Sequence, residues 1–253
     1  MKKILIGFAF FVSFVLYSGE TKTDMPLNIL AFSKTTEYRH DSIPNAIKAL
    51  AELSEQQGWK ITFTEDAEFF NESVLSRMDI VIFLLNTGDV LEGAQRDALQ
   101  AFIRSGGGFV GVHCATVTEP GWPWYQEMMV AQFTGHPPVC DGKLIIEDPD
   151  HPATQPFCER EVLWNDEFYS FDQNPQDKVH VLISVDESSY DITNNPWFEG
   201  VDLEMGDHPL VWCREFEGGR VIQTSLGHAI EKYDDPVFRQ HLVGAIKWAA
   251  NID

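Results

Sequence analysis

The chain has 253 residues and carries 39 acidic against 18 basic side chains, a formal net charge of −21. Such a surface repels nucleic acid and anionic membranes and excludes both as partners; a small neutral ligand or a cation fits it better. A composition 44% hydrophobic and 12% aromatic is enough for a packed core, and no repeat, low-complexity tract or linker interrupts it, so one domain over residues 26–252 is expected.

Lys2 and Lys3 precede an apolar run from Ile4 to Tyr17 that is too short to span a bilayer comfortably. Followed by Ser18 and Gly19, it has the pattern of a signal peptide over residues 1–19, with a retained anchor as the alternative. The expectation is an exported protein, periplasmic or extracellular, with no membrane span after removal of that segment. Cys114, Cys140, Cys158 and Cys213 show no CxxC spacing, and free thiols or bridges both suit an exported chain of this size. A homo-oligomer stays open.

In chain order, Leu27 to Phe32 reads as a first strand and Ser33 to His40 as a polar loop. Asp41 or Ser42 can cap a helix with Pro44 in its first turn, Ile43, Ile47 and Leu50 on its apolar face and Gly58 as its stop. Trp59 to Thr64 alternates as a strand does, and Asn71 to Arg77 suits a short helix. The nearly continuous apolar run Asp79 to Leu85 is that of a parallel strand buried on both faces. Leu91 to Arg104 reads as a helix and Phe109 to Val112 as another buried strand. This β-α-β-α-β-α-β order predicts a three-layer α/β fold with a doubly wound, mostly parallel sheet.

The second half is less regular. A short helical piece is expected between Pro120 and Pro138, then strands near Lys143 to Glu147, Val162 to Ser170 and Val179 to Val185. Ser188 to Met205 reads as an insertion or flap. Pro209 to Phe216 and Gly219 to Ser225 form a hairpin that adds an antiparallel extension, and Asp235-Pro236 opens the last helix.

The chain turns on Ser105 to Thr116. Gly111 allows a sharp exit from the strand, and an elbow of this kind holds one side chain up at the carboxyl edge of a parallel sheet, where ligands of open α/β sheets bind. The residue offered is His113, with Cys114 directed into the core; no serine occupies the elbow, so serine-hydrolase chemistry is not expected. Tyr38, Arg39 and His40 lie in the loop after the first strand. His136, then Asp166, Glu167 and Tyr169, lie in the middle segment, and His228 and Glu231 follow the last strand. Loops after successive parallel strands open on one edge, so these groups can converge. Three histidines, His113, His136 and His228, with Glu167 suit either a divalent transition-metal site or acid–base work on a hydroxylated substrate. The dense loop aromatics, among them Trp122, Trp124, Tyr169 and Trp197, can stack on sugar rings or cover a core. His151, His180, His208 and His241 read as structural.

Taken together the motifs resemble the ThuA-like, trehalose-utilisation family. The resemblance rests on Phe32 to Lys34 with Tyr38 to Ile43, on Gly106 to Thr116, and on Trp122 to Tyr125 with Gly135 to Pro137. It extends through Asp166 to Tyr169, His208 to Trp212, and Gly219-Arg220 with Ser225 to His228. It implies a fold similar to class I glutamine amidotransferases. In those enzymes the elbow carries a catalytic cysteine; here His113 takes that position, so glutamine hydrolysis is not expected, and Cys114 stands where the family commonly has a small residue. The resemblance further implies a role with trehalose-like disaccharides or their keto forms. The resulting expectation is a sugar-processing enzyme with His113, His136, Glu167 and His228 catalytic and Tyr38, Arg39, His40, Trp122, Trp124 and Tyr169 holding the sugar. The alternative is a carbohydrate-binding protein without catalysis on the same scaffold.

Overall fold

The apolar runs of the first half become buried strands because each has two faces to cover. A computed structural model of the protein describes residues 26–252, and the expected export segment, 1–19, lies outside them. Strand β1 (Asn28–Phe32) leads to helix α1 (Ile43–Gln57), which Pro44 helps to start and which Gly58 ends in a left-handed conformation. Strand β2 (Lys60–Thr64) and a short helix α2 (Glu72–Leu75) follow; the Asn71 side chain caps α2 by accepting from Val74 N–H. Strand β3 (Ile80–Leu84), helix α3 (Ala94–Arg104) and strand β4 (Gly108–Val112) complete the first half. Helix α3 starts later than its sequence pattern suggests. Val90 and Leu91 are held outside it, their N–H groups donating to the buried carboxylate of Glu119.

The second half runs through α4 (Pro123–Met129), β5 (Phe133–Gly135), β6 (Cys140–Ile146), β7 (Glu161–Asp166), β8 (Ser170–Phe171) and β9 (His180–Asp186). The hairpin β10 (Pro209–Phe216) and β11 (Gly219–Thr224) then leads to the last helix, α5 (Pro236–Ala249). The hairpin turns at Glu217 and Gly218, both at positive φ, the backbone that matches the twist of paired strands. The expected strand Val162 to Ser170 is in fact two. Residues 167–169 leave the ladder after Asp166, and β8 pairs with β5 in a separate two-stranded sheet.

The main sheet has nine strands in the order β2-β1-β3-β4-β11-β10-β9-β6-β7. Pairings from β2 to β11 are parallel, and those from β11 to β7 are antiparallel. Alternating residues feed two cores. Ile29, Ile82, Val110 and Ile222 face α1 and α5, whereas Leu30, Phe83, Phe109 and Val221 face α3 and α4. Each such side chain, fully buried, contributes roughly 1.5–3 kcal/mol relative to exposure. The result is the three-layer doubly wound α/β fold with an antiparallel extension. No helix among the described residues is long and apolar enough to cross a membrane.

The topology aims several chain segments at one edge. The loops after β1, β3, β4 and β11 leave the carboxyl ends of parallel neighbours. Through the antiparallel extension strand direction alternates, so β7 runs the same way as β11 and Asp166 ends at that same edge.

Candidate functional site

The elbow has His113 at its tip, as the sequence suggests, but Gly111 does not make the turn. Gly111 is inside β4, where it permits close packing: a Cβ there would run into Gln223 Oε1 and Ala115 Cβ. The turn is made by His113 itself, with φ 55° and ψ −104°, before a 3-10 turn over Cys114–Val117. A left-handed backbone at a histidine costs on the order of 1–3 kcal/mol and persists only when the surroundings hold it. Here they do: His113 N–H donates to Thr224 O at 2.7 Å, and Gln223 Nε2 donates to His113 O at 2.9 Å.

The same surroundings fix the His113 ring. Its Nδ1 lies 2.8 Å from Ser225 O, and since a carbonyl only accepts, Nδ1 carries the proton. Nε2 is thereby turned into the cluster, 2.8 Å from the hydroxyl of Tyr169 and 3.5 Å from Glu167 Oε2. Burial raises the Tyr169 phenol well above its ordinary range, so it stays a neutral donor.

Asp166 joins the remaining elements. Its buried carboxylate accepts from Trp164 Nε1 at 3.1 Å, its neighbour Glu167 N at 3.1 Å, Gly227 N at 2.9 Å and His228 N at 3.0 Å. The end of β7 is thereby tied to the loop after β11, and Glu167 and His228 are brought face to face. Gly227 is required in that loop, for it sits at φ 105° against Phe238.

His40, His113, Glu167 and His228 each offer a ligand atom, and these atoms all lie within 4.8 Å of one another. Burial pushes the Glu167 carboxyl up, but the adjoining His113 and His228 outweigh it and hold Glu167 below the usual carboxylate range. Burial lowers His228, yet Glu167 and Asp166 leave it raised on balance. His40 is held down to about 3 by burial and by its histidine neighbours, so its ring is neutral. His228 Nδ1 lies 2.9 Å from Glu167 Oε2 but is angled so that no hydrogen bond forms, which leaves a buried nitrogen without a partner. A buried imidazole nitrogen without a hydrogen-bond partner, beside a carboxylate oxygen, is a pair that a shared cation would satisfy. Ligands at ~2.0–2.1 Å from a tetrahedral zinc are ~3.4 Å apart, close to the 2.9 and 3.5 Å separations about Glu167 Oε2. The residues present therefore fit a divalent transition metal.

Through His40, Glu167 and His228 the cluster opens on a cavity of about 460 Å³, within the range of small-molecule sites, lined also by Glu37, Tyr38, Thr87, Cys114, Val117, Phe133, His136, Tyr169, Trp197 and Phe198, while His113 is fully buried behind it. A larger cleft of about 880 Å³ lies between α2 and α3, but none of the histidines lines it. His136 stands on the wall of the smaller cavity, stacked on Tyr169 with ring centres 5.5 Å apart and its Nδ1 3.7 Å from Glu167 Oε1. It lies beside the ligand set, and His40, expected to hold sugar, takes its place within the set. Burial lowers His136, and Nδ1–H donates to Pro137 O at 2.9 Å, so Nε2 keeps a lone pair.

Three other expectations are corrected. Trp122 and Trp124 do not reach the cavity. Trp122 is buried on the opposite core against Tyr125, under the guanidinium of Arg96, and Trp124 packs on Phe216 while its Nε1 donates to Glu217. Arg39 points outward and pairs with Glu65 at 2.6 Å. Trp197, one of the loop aromatics expected to stack on a sugar or cover a core, lines the cavity, whereas Phe133 and Phe198 are not among the residues the sequence singles out. Cys114 is fully buried with its thiol pushed up by burial, and its Sγ is 3.6 Å from His40 Nδ1. All four cysteines are free.

The family profile described as ThuA, trehalose utilisation, matches residues 28–249. No curated protein matches the chain. A ThuA-like protein from Bacteroides uniformis is 21% identical, with a TM-score of 0.72 over 91% of this chain and 94% of that one. A ThuA-like protein from Parabacteroides merdae is 18% identical, with a TM-score of 0.70 over 89% of this chain and 90% of that one. A beta-galactosidase from Bacillus circulans sp. alkalophilus is 13% identical, with a TM-score of 0.52 over 88% of this chain but 31% of its own. At such identities these structures show a common fold and nothing finer.

Proposed function

The chain belongs to the ThuA, trehalose-utilisation family and so has a carbohydrate-related role, and from that premise we propose that it is an enzyme acting on a trehalose-like glycoside or keto-sugar in the cell envelope. The observation that carries this reading is the set of four ligand atoms within 4.8 Å at the floor of an aromatic-walled cavity. His40, His113, Glu167 and His228 would hold a divalent transition metal. When bound there, it supplies Lewis-acid polarisation of a substrate oxygen.

The protein's own groups divide the remaining work. His113 is oriented by the contact of its Nδ1 with Ser225 O, which turns Nε2 toward the other three groups. Neutral His136, with its Nδ1–H committed to Pro137 O, takes a proton from a sugar hydroxyl or from the carbon beside a keto group. Tyr169, kept protonated, lies 2.8 Å from His113 Nε2, and with that nitrogen holding a metal its O–H would be free to donate to a departing or developing oxygen. Phe133, Phe198 and the ring of Tyr169 form the apolar walls against which a pyranose face stacks and from which water is excluded.

The test is metal analysis of the purified protein followed by a screen of disaccharides and their 3-keto forms. Turnover that is lost in His113→Ala and His228→Ala while sugar binding persists supports the enzyme. Sugar binding by the wild type with no turnover supports a non-catalytic binding protein.

A further inference from the structure

Tyr38, 66% exposed, and Trp197, 60% exposed, are among the few large apolar side chains left open to solvent, and both line the same cavity. Exposed aromatic faces gathered at one concavity mark a surface that something covers. Each also adjoins an inner histidine. Tyr38 meets His40 edge-on with ring centres 4.8 Å apart, and Trp197 is tilted against His136 at 5.5 Å.

Trp197 is not on a loose strap. Asn195 Nδ2 donates to Phe198 O at 2.8 Å and to Val201 O at 3.1 Å, and Asn195 Oδ1 accepts from Phe198 N at 2.9 Å. Farther along, Ser170 Oγ donates to Leu203 O at 2.7 Å, and Glu187 accepts from the N–H groups of Met205 and Gly206. These bonds stabilise a segment whose most conspicuous product is an aromatic ring held out over the cavity.

We infer that Tyr38 and Trp197 form an outer subsite for a second sugar ring, so that the substrate is an uncharged disaccharide or longer glycoside rather than a single sugar or a sugar phosphate. The inference rests on the carbohydrate reading above. The polar cluster is at the buried end and the two exposed rings are at the open end, so a ligand engaging both must span the cavity. No lysine or arginine lines it, and Glu37 does, which disfavours a phosphate. Asn195 acts as a positioning residue through Trp197.

The experiment is calorimetric binding of glucose, trehalose, 3-keto-trehalose and trehalose 6-phosphate to the metal-loaded protein and to Trp197→Ala, Trp197→Phe, Tyr38→Ala and Asn195→Ala. The expected result is a disaccharide preference over glucose that falls about tenfold in Trp197→Ala and Asn195→Ala. Tyr38→Ala weakens it likewise, Trp197→Phe largely keeps it, and glucose binding is unchanged throughout. Trehalose 6-phosphate binds more weakly than trehalose. If a disaccharide binds but the substitutions weaken glucose equally, or if the phosphate binds tighter, the outer subsite is wrong and the enzyme reading survives. If neither disaccharide binds the wild type, the carbohydrate site itself is wrong and the subsite falls with it.

Discussion

His228 Nδ1 and Glu167 Oε2 approach to 2.9 Å without forming a hydrogen bond, and both face the space that His40 and His113 also border. Neither residue reaches that position through its own strand alone. Asp166 sets both, holding the backbone of Glu167 on one side and of Gly227 and His228 on the other.

Asp166→Asn should therefore damage the site more than the fold. An amide replaces one acceptor oxygen with a donor that faces N–H groups. The loss of stability should be about 1–3 kcal/mol, and metal affinity should fall about 10–100-fold, as for other residues that orient ligands. Urea unfolding and zinc titration of the variant measure the two effects. Wild-type metal affinity in a stably folded Asp166→Asn protein would remove Asp166 from this role.

The placement of His40 and Arg39 shows what was legible beforehand. The apolar runs of β3 and β4, the Gly58 stop and the Asp235-Pro236 helix start are local signals, and each appears in the fold near its expected place. The meeting of His113, Glu167 and His228 at one edge followed from strand direction. Side-chain direction within loops did not, because it depends on partners distant in sequence. His40 turns inward against Cys114, while adjacent Arg39 turns out to Glu65. Trp122 and Trp124 are as aromatic as Trp197, yet α4 delivers them to the opposite core. Likewise, Gly111 was legible as a special position, but whether it turns the chain or admits Gln223 is decided only by the neighbouring strand.

Cys114→Ala should leave turnover within a few-fold of wild type. The thiol is buried and kept protonated, and its contact with His40 Nδ1 at 3.6 Å is a weak sulfur hydrogen bond. A stability loss of about 1 kcal/mol from the small void is expected. Activity assays together with thiol labelling of the native protein check this, Cys114 remaining unlabelled. Abolished turnover in a folded variant would restore a thiol mechanism.

Two histidines away from the site should make unfolding take up protons. His151 and His241 are held from 6.5 down to about 4, both chiefly by burial. Each stays neutral in the fold but is protonated in the unfolded chain once the pH drops below 6.5. Their contribution is thus complete above 6.5 and is lost as the pH falls toward 4. Because approach to the pI of 4.6 relieves the surface repulsion at the same time, proton uptake on urea unfolding at pH 5 is the specific measurement. Net uptake that is unchanged in a His241→Gln variant would contradict the assignment.

Export is a prediction of the leading residues. Protein recovered from the cell envelope should begin near Glu20, as read by amino-terminal sequencing. An intact Met1 on cytosolic protein would reject it.

The central claim is that His40, His113, Glu167 and His228 act together as a metal site serving carbohydrate chemistry. Elemental analysis of protein purified without chelators tests it most directly, with Glu167→Gln and His228→Ala purified in parallel. The account predicts a stoichiometric divalent transition metal in the wild type, lost or strongly reduced in both variants while their folds persist. A wild-type protein that holds no such metal and gains no thermal stability from added zinc would contradict it.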